Sequence, residues 1–105
     1  MDSEEYAEAV LALVEQVPPG RVTTYGVLAE AVGWGGPRRV GRVMSLSGGG
    51  VPWWRVVHAD GSLPACHDAR ADAAYAAEGT PRRSSGAIDI RAALWVPPAL
   101  ALDAE

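Results

Sequence analysis

"RVTTYGVLAEAVGWGGPRRVGRVMSLS", residues 21–47, holds two helical patterns separated by glycines. Thr23 or Thr24 can cap the first, because a threonine hydroxyl accepts from backbone N–H groups that a helix start leaves unpaired. Val27, Leu28, Ala31 and Val32 then repeat at the spacing of one inward helical face. Gly33 suits the left-handed backbone that ends a helix. "WGG" at 34–36 makes a tight turn, and Pro37 fits the first position of a new helix, where a missing N–H costs nothing. That second helix turns Val40, Val43 and Met44 inward and Arg38, Arg39 and Arg42 outward. Two short helices across a glycine turn, the second bearing arginines, are a helix-turn-helix candidate; an ordinary amphipathic pair is the competing reading.

Working outward, "DSEEYAEAVLALVEQV" at 2–17 has helical period, with Asp2 and Glu5 spaced as a capping box and "PPG" ending it. After the helix pair, "GGG" at 48–50 is a flexible joint. "WRVVHADGSL" at 54–63 reads as a strand, an Asp60–Gly61 turn and a short return, a hairpin in the place of a wing. "DARADAAYAAEG" reads as a helix capped by Asp68 and closed by Gly79; "TPRRSSG" is a polar loop, "AIDI" a short strand and "RAALW" a last turn. The expected architecture is mainly α, a winged helix-turn-helix domain with a short β-hairpin wing. One domain is expected over residues 1–98, followed by a frayed tail over 99–105.

The net charge of −4 at first opposes nucleic-acid binding, since phosphate binders are usually basic. Its distribution reverses that. Between Pro18 and His58 stand Arg21, Arg38, Arg39, Arg42 and Arg55 against the single acid Glu30. All positive charge in the chain is arginine, the better residue for phosphate forks and for stacking on bases. No apolar run has the roughly 20 residues that cross a bilayer, and no signal-peptide pattern opens the chain. The lone Cys66 cannot form an internal disulfide, so a cytoplasmic protein is expected. The two histidines and one cysteine lie apart and are not read as a metal site, and no cofactor is expected.

"VPPGRVTTYGVLAEAVG", "RRVGRVM", "PWWRVVHADGSL" and "AAEG" together resemble the DNA-binding domain of the O6-alkylguanine-DNA alkyltransferases, over roughly Glu4 to Gly79. That family's signature is Pro-Cys-His-Arg-Val, in which the cysteine takes the alkyl group from a flipped guanine. Here the stretch reads Pro52-Trp53-Trp54-Arg55-Val56. Tryptophan at the cysteine position resembles the alkyltransferase-like proteins, a non-enzymatic branch whose signature is usually Pro-Trp-His-Arg. Trp54 is a further change, at the place of the histidine that helps deprotonate the cysteine. Without a thiol to activate, a general base has no task.

The resemblance implies a function: recognition of O6-alkylguanine in double-stranded DNA by minor-groove binding and base flipping, marking the lesion for nucleotide excision repair. It implies that Arg38 is an arginine finger filling the hole left by the base. It makes Tyr25, Trp53 and Val56 the lesion pocket, with the carbonyls of Trp53 and Val56 accepting from the guanine amino group. Thr24, Arg39 and Arg42 are expected at the DNA backbone, and Trp54, Arg55 and Cys66 at the pocket edge. Repair proteins are the implied partners, and a monomer is expected. Glu78 matches a glutamate coupled to the missing histidine and is expected to become a helix-end surface residue. Arg55 is expected to tie the wing to the helix pair.

Two other readings compete. "LPACHDAR" sets Cys66 and His67 thirteen residues after Trp53, so a relocated alkyl-accepting nucleophile is one alternative. It lacks the arginine and valine that follow the family's cysteine, and Asp68 is better explained as a helix cap. A winged-helix transcription regulator reading undamaged DNA is the other.

Overall fold

The structure is a computed structural model that describes residues 2–98, so the tail expected over 99–105 lies outside the described residues. The chain runs α1 (Ser3–Gln16), β1 (Thr23–Thr24), α2 (Tyr25–Val32), α3 (Gly36–Ser47), two 3₁₀ turns (Gly48–Gly50 and Trp53–Arg55), β2 (Val56–Val57), α4 (Ala69–Glu78) and α5 (Ile90–Ala93). It is mainly helical and winged-helix-like, as expected. The local signals hold at most helix ends. Asp2 accepts from Glu5 N–H, Thr24 from Val27 N–H, and Asp68 from Arg70 and Ala71 N–H. Gly33 and Gly79 stop α2 and α4 with positive φ of 100° and 70°.

The turn between α2 and α3 places demands that only glycine meets. Gly35 has φ 93°, and a Cβ there would come within 2.8 Å of Tyr6 Cζ. The turn is thus folded tightly onto α1. Helix α3 begins one residue earlier than expected, at Gly36, which makes Pro37 its second residue.

The core is in two parts. Tyr6, Val10 and Val14 of α1 pack with Leu28, Ala29, Val40, Val51 and Val56. Ala29 was not among the expected inward residues, whereas Val27, Ala31 and Val32 are only half-buried. The second part gathers Val22, Val57, Ala71, Tyr75, Ile88 and Ala93, with Trp53 and Trp54 against it. Successive strand residues point to opposite faces. Val56 therefore enters one core and Val57 the other, both fully buried. Each buried valine stabilises by about 1.5–3 kcal/mol, so this two-residue strand is held by packing on both sides.

That arrangement corrects the hairpin wing. β2 pairs in parallel with β1, Thr23 opposite Val56 and Thr24 opposite Val57. The Asp60–Gly61 turn does form, with Gly61 N–H donating to His58 O at 2.9 Å and His58 N–H to Ser62 O at 3.1 Å. No return strand follows it among the described residues. A lone two-stranded hairpin is marginal in water. Pairing with β1 satisfies the same backbone groups and buries both valines. The strand expected over "AIDI" is reduced to one antiparallel bridge between Arg82 and Ile88, and Ile90 already begins α5. A parallel bridge from Val22 to Leu94 closes the C-terminal segment onto the helix pair.

Candidate nucleic-acid interface

A cavity of about 310 Å³ opens beside the second helix of the pair. Tyr25 of α2, Gly41, Met44 and Ser45 of α3, Trp53, and Cys66 with Arg70 line it. Gly41 matters for access, because nothing within 4 Å of its missing Cβ closes that stretch of helix. Trp53 is half-buried, its ring edge-on to Trp54 with centroids 5.8 Å apart and planes at 82°. Arg70 lies over the Trp53 ring, its Cζ 5.8 Å from the centroid, while Asp68 Oδ2 accepts from its Nε and NH2. The cavity is therefore a flat aromatic wall with a cation at its mouth.

The two indoles diverge because they stand in a 3₁₀ turn, which swings successive side chains by about 120°. Trp53 faces the cavity. Trp54 faces α4, where its Nε1 donates to Glu78 Oε1 at 3.1 Å. Arg55 NH2 donates to the same oxygen at 2.6 Å and Arg55 Nε to Oε2 at 3.2 Å. Gly20 N–H donates to Oε2 as well, and Arg55 NH1 donates to Val17 O. Tyr75 OH donates to the Trp54 carbonyl at 2.6 Å. Glu78 is thus a half-buried junction rather than the surface residue expected. Burial pushes its carboxyl pKa up, but the hydrogen bonds from Arg55, Gly20 and Trp54 outweigh that and leave it below the usual glutamate value. Arg55 ties the Trp53–Arg55 turn to α4 and to the end of α1.

The remaining expected site residues are distributed as follows. Arg38 is exposed on the first turn of α3, next to Tyr25 and Gly41. Burial raises the Tyr25 phenol above its usual range, helped by Cys66, so it stays neutral and can donate. Cys66 does face the cavity, but His67 turns away and its Nε2 lies 2.8 Å from Asp72 Oδ1. The Cys66–His67 pair therefore does not reproduce a thiol beside its base.

Two side chains expected at the DNA backbone, those of Thr24 and Arg39, have partners within the protein. Thr24 is 6% exposed and its hydroxyl oxygen accepts from Val27 N–H, capping α2. Val56 was expected to offer its carbonyl rather than its side chain: the side chain is in the core, and its N–H donates to the Trp53 carbonyl. Arg39 stacks its guanidinium over Trp34 and Tyr6, 4.6 and 5.2 Å from the ring centroids. About 100° per residue separates side chains on a helix, which puts Arg39 round the side from Arg38. Arg42 lines a groove against α1 with Glu4, Tyr6, Ala7 and Leu46. Sequence reasoning missed His58, whose ring lies 5.0 Å from that of Tyr25. Among the described residues there is no cluster of three potential metal ligands, and no helix is long and apolar enough to cross a membrane.

Comparison with known proteins agrees with this geometry. The family described as the 6-O-methylguanine DNA methyltransferase DNA-binding domain matches residues 5–80. The chain belongs to that family. Two relatives are each called a DNA base-flipping protein. The one from Vibrio parahaemolyticus serotype O3:K6 (strain AQ3810) is 31% identical, with 90% of this chain and 99% of the relative aligned. The one from Escherichia coli K12 is 36% identical, with 90% and 78% aligned. Among solved structures, S. pombe Atl1 in complex with damaged DNA containing O6-carboxymethylguanine superposes with a TM-score of 0.77. It has 28% identity and covers 92% of this chain and 100% of that one. S. pombe ATL in complex with DNA gives 0.76 at the same identity and coverage. This chain is an alkyltransferase-like member of the family, as the "PWWRV" stretch led one to expect.

Proposed function

We propose that this protein recognises O6-alkylguanine in duplex DNA, turns the damaged base into the Trp53 cavity, and releases it with its alkyl group still attached. The observation that carries the reading is the position of Trp53: an indole forms the cavity wall between Tyr25 and the arginine-bearing α3. Turning a base out of the stack costs a few kcal/mol, less at a damaged pair. Contact with a flat ring is worth roughly 1–3 kcal/mol per base, enough to offset much of that cost. Arg38 occupies the vacated place in the stack. The names of the base-flipping relatives and the Atl1 complex with damaged DNA support the same reading.

No transfer follows, because Trp53 and Trp54 stand where the family's enzymes carry a nucleophile and its base. An indole has neither an ionisable thiol nor a proton acceptor in that plane. Binding without chemistry serves as a signal, and nucleotide excision repair proteins are the partners that would read it. A monomer in the cytoplasm, associated with the nucleoid when bound to DNA, suits the free Cys66, which reducing conditions preserve.

The test is a titration of two duplexes that differ only in one O6-methylguanine. Preferential binding of the modified duplex is expected; equal affinity would end the proposal. Because Cys66 shares the cavity with Trp53, intact mass is measured after incubation. An unchanged mass is expected, and a gain of one methyl would favour the Cys66 acceptor instead. Selection of a consensus from random undamaged duplexes would favour the transcription-regulator reading.

A further inference from the structure

We propose that His58 binds one phosphate of the DNA strand that carries the flipped base, and that this contact takes up a proton at His58. The inference rests on the lesion-binding reading and adds to it a backbone site and a pH response.

A second hollow of about 430 Å³ lies beside the Trp53 cavity, lined by Tyr25, Pro37, Arg38, Gly41, His58 and Ala65. Tyr25, Gly41 and Ala65 also line the first cavity, so the two are contiguous and Tyr25 stands between them. A base seated against Trp53 must connect to its strand past that partition. The hollow on the other side is where the backbone of the strand emerges. Its chemistry suits an anion: two basic side chains line it and no carboxylate does.

The imidazole is held there without being consumed. The His58 and Tyr25 rings sit 5.0 Å apart at 42°, and His58 N–H is anchored on Ser62 O. Among the described residues the His58 ring makes no hydrogen bond, and His58 is exposed. The nearby Asp60 carboxylate is occupied by Ser62, whose N–H and Oγ donate to Oδ1 at 2.9 and 2.7 Å. The other histidine, His67, is engaged by Asp72.

The groups facing His58 are few. Tyr25 comes from α2, Arg38 from α3, Asp60 from its own turn, and the loop beyond the turn brings Ala65 with Cys66 behind it. Histidine is the side chain that ordinarily changes charge between about pH 5 and 8. An imidazolium donating to a phosphate oxygen makes a short charge-assisted hydrogen bond, and the phosphate charge in turn favours that protonation. Affinity for the lesion duplex therefore rises as pH falls.

The test measures lesion-duplex affinity at about pH 5.5 and 8.0 for the unaltered protein, His58→Gln and, as a control, His67→Gln. The unaltered protein and the control should bind roughly tenfold tighter at the lower pH, with a salt slope steeper by about 0.9, the increment of one neutralised phosphate. His58→Gln should bind equally at both. Independently of any folding defect, a single methylphosphonate placed beside the lesion should abolish the pH response of the unaltered protein at one position. Superimposable pH responses of the unaltered protein and His58→Gln, or a response that no methylphosphonate removes, would overturn the proposal. Loss of all preference for the lesion over the unmodified duplex is a different outcome: it removes the recognition reading and this site with it.

Discussion

The indole nitrogen of Trp54 donates to Glu78 Oε1 at 3.1 Å, across 24 residues of sequence. An aromatic N–H thus finds a carboxylate partner on a helix distant in sequence. With Arg55 this hydrogen bond clamps the Trp53 turn to α4 and so sets the cavity wall.

Trp54→Phe should keep the apolar contact and lose the hydrogen bond, leaving part of Glu78 unsatisfied. A loss of about 1–3 kcal/mol in urea-unfolding stability is expected. Removing the acceptor also strands the Arg55 guanidinium, so Glu78→Ala should cost on the order of 3 kcal/mol or more. A smaller loss for Glu78→Ala than for Trp54→Phe would contradict the junction.

The pH dependence of stability follows from the sign of the Glu78 shift. Its folded pKa is depressed, so the carboxylate stabilises the fold fully above the unfolded glutamate value, near 4.3. That stability is lost as pH falls below that value through the lower folded pKa. Unfolding free energy should fall along this acid limb, and Glu78→Gln should flatten it. An identical limb in Glu78→Gln would show that other carboxylates govern acid unfolding.

Arg39 separates packing from phosphate contact. With its guanidinium over Trp34 and Tyr6, Arg39→Ala should lower stability by about 0.5–2 kcal/mol, the range of a cation over aromatic faces. The salt slope of DNA binding should be unchanged. A slope reduced by about 0.9 would instead reveal a phosphate contact.

Arg38→Ala should weaken lesion binding strongly and suppress the fluorescence of a base analogue that reports flipping, with little change in thermal stability because Arg38 is exposed. Flipping at the original amplitude would remove the finger role.

Trp53→Cys puts a thiol in the cavity wall without a base beside it, since Trp54 points to Glu78. Intact mass should show little methyl uptake from O6-methylguanine DNA. Efficient uptake would mean that Trp54 is not what keeps such a thiol inactive.

The helix pair was legible in the chain because its signals are local. Capping by Thr24, the Gly33 stop and the inward Leu28 and Val40 each depend on residues within a turn or two. The same holds for Asp68 and Gly79 at the ends of α4. "PWWRV" was legible as a departure from a family signature, and Trp53 lines a cavity beside α3.

Pairing across the chain was decided only by the fold. Backbone hydrogen-bonding groups in a β segment are alike whichever partner they meet, so the sequence of Val56 and Val57 does not distinguish a hairpin from a parallel pair. What distinguishes them is burial: beside Thr23 and Thr24, each valine finds a different core. Arg39 and Glu78 were ambiguous for the same reason. A charged side chain on a helix is a surface residue until a partner distant in sequence is brought against it, here Trp34 folded back by the glycine turn and Trp54 swung round by a 3₁₀ turn.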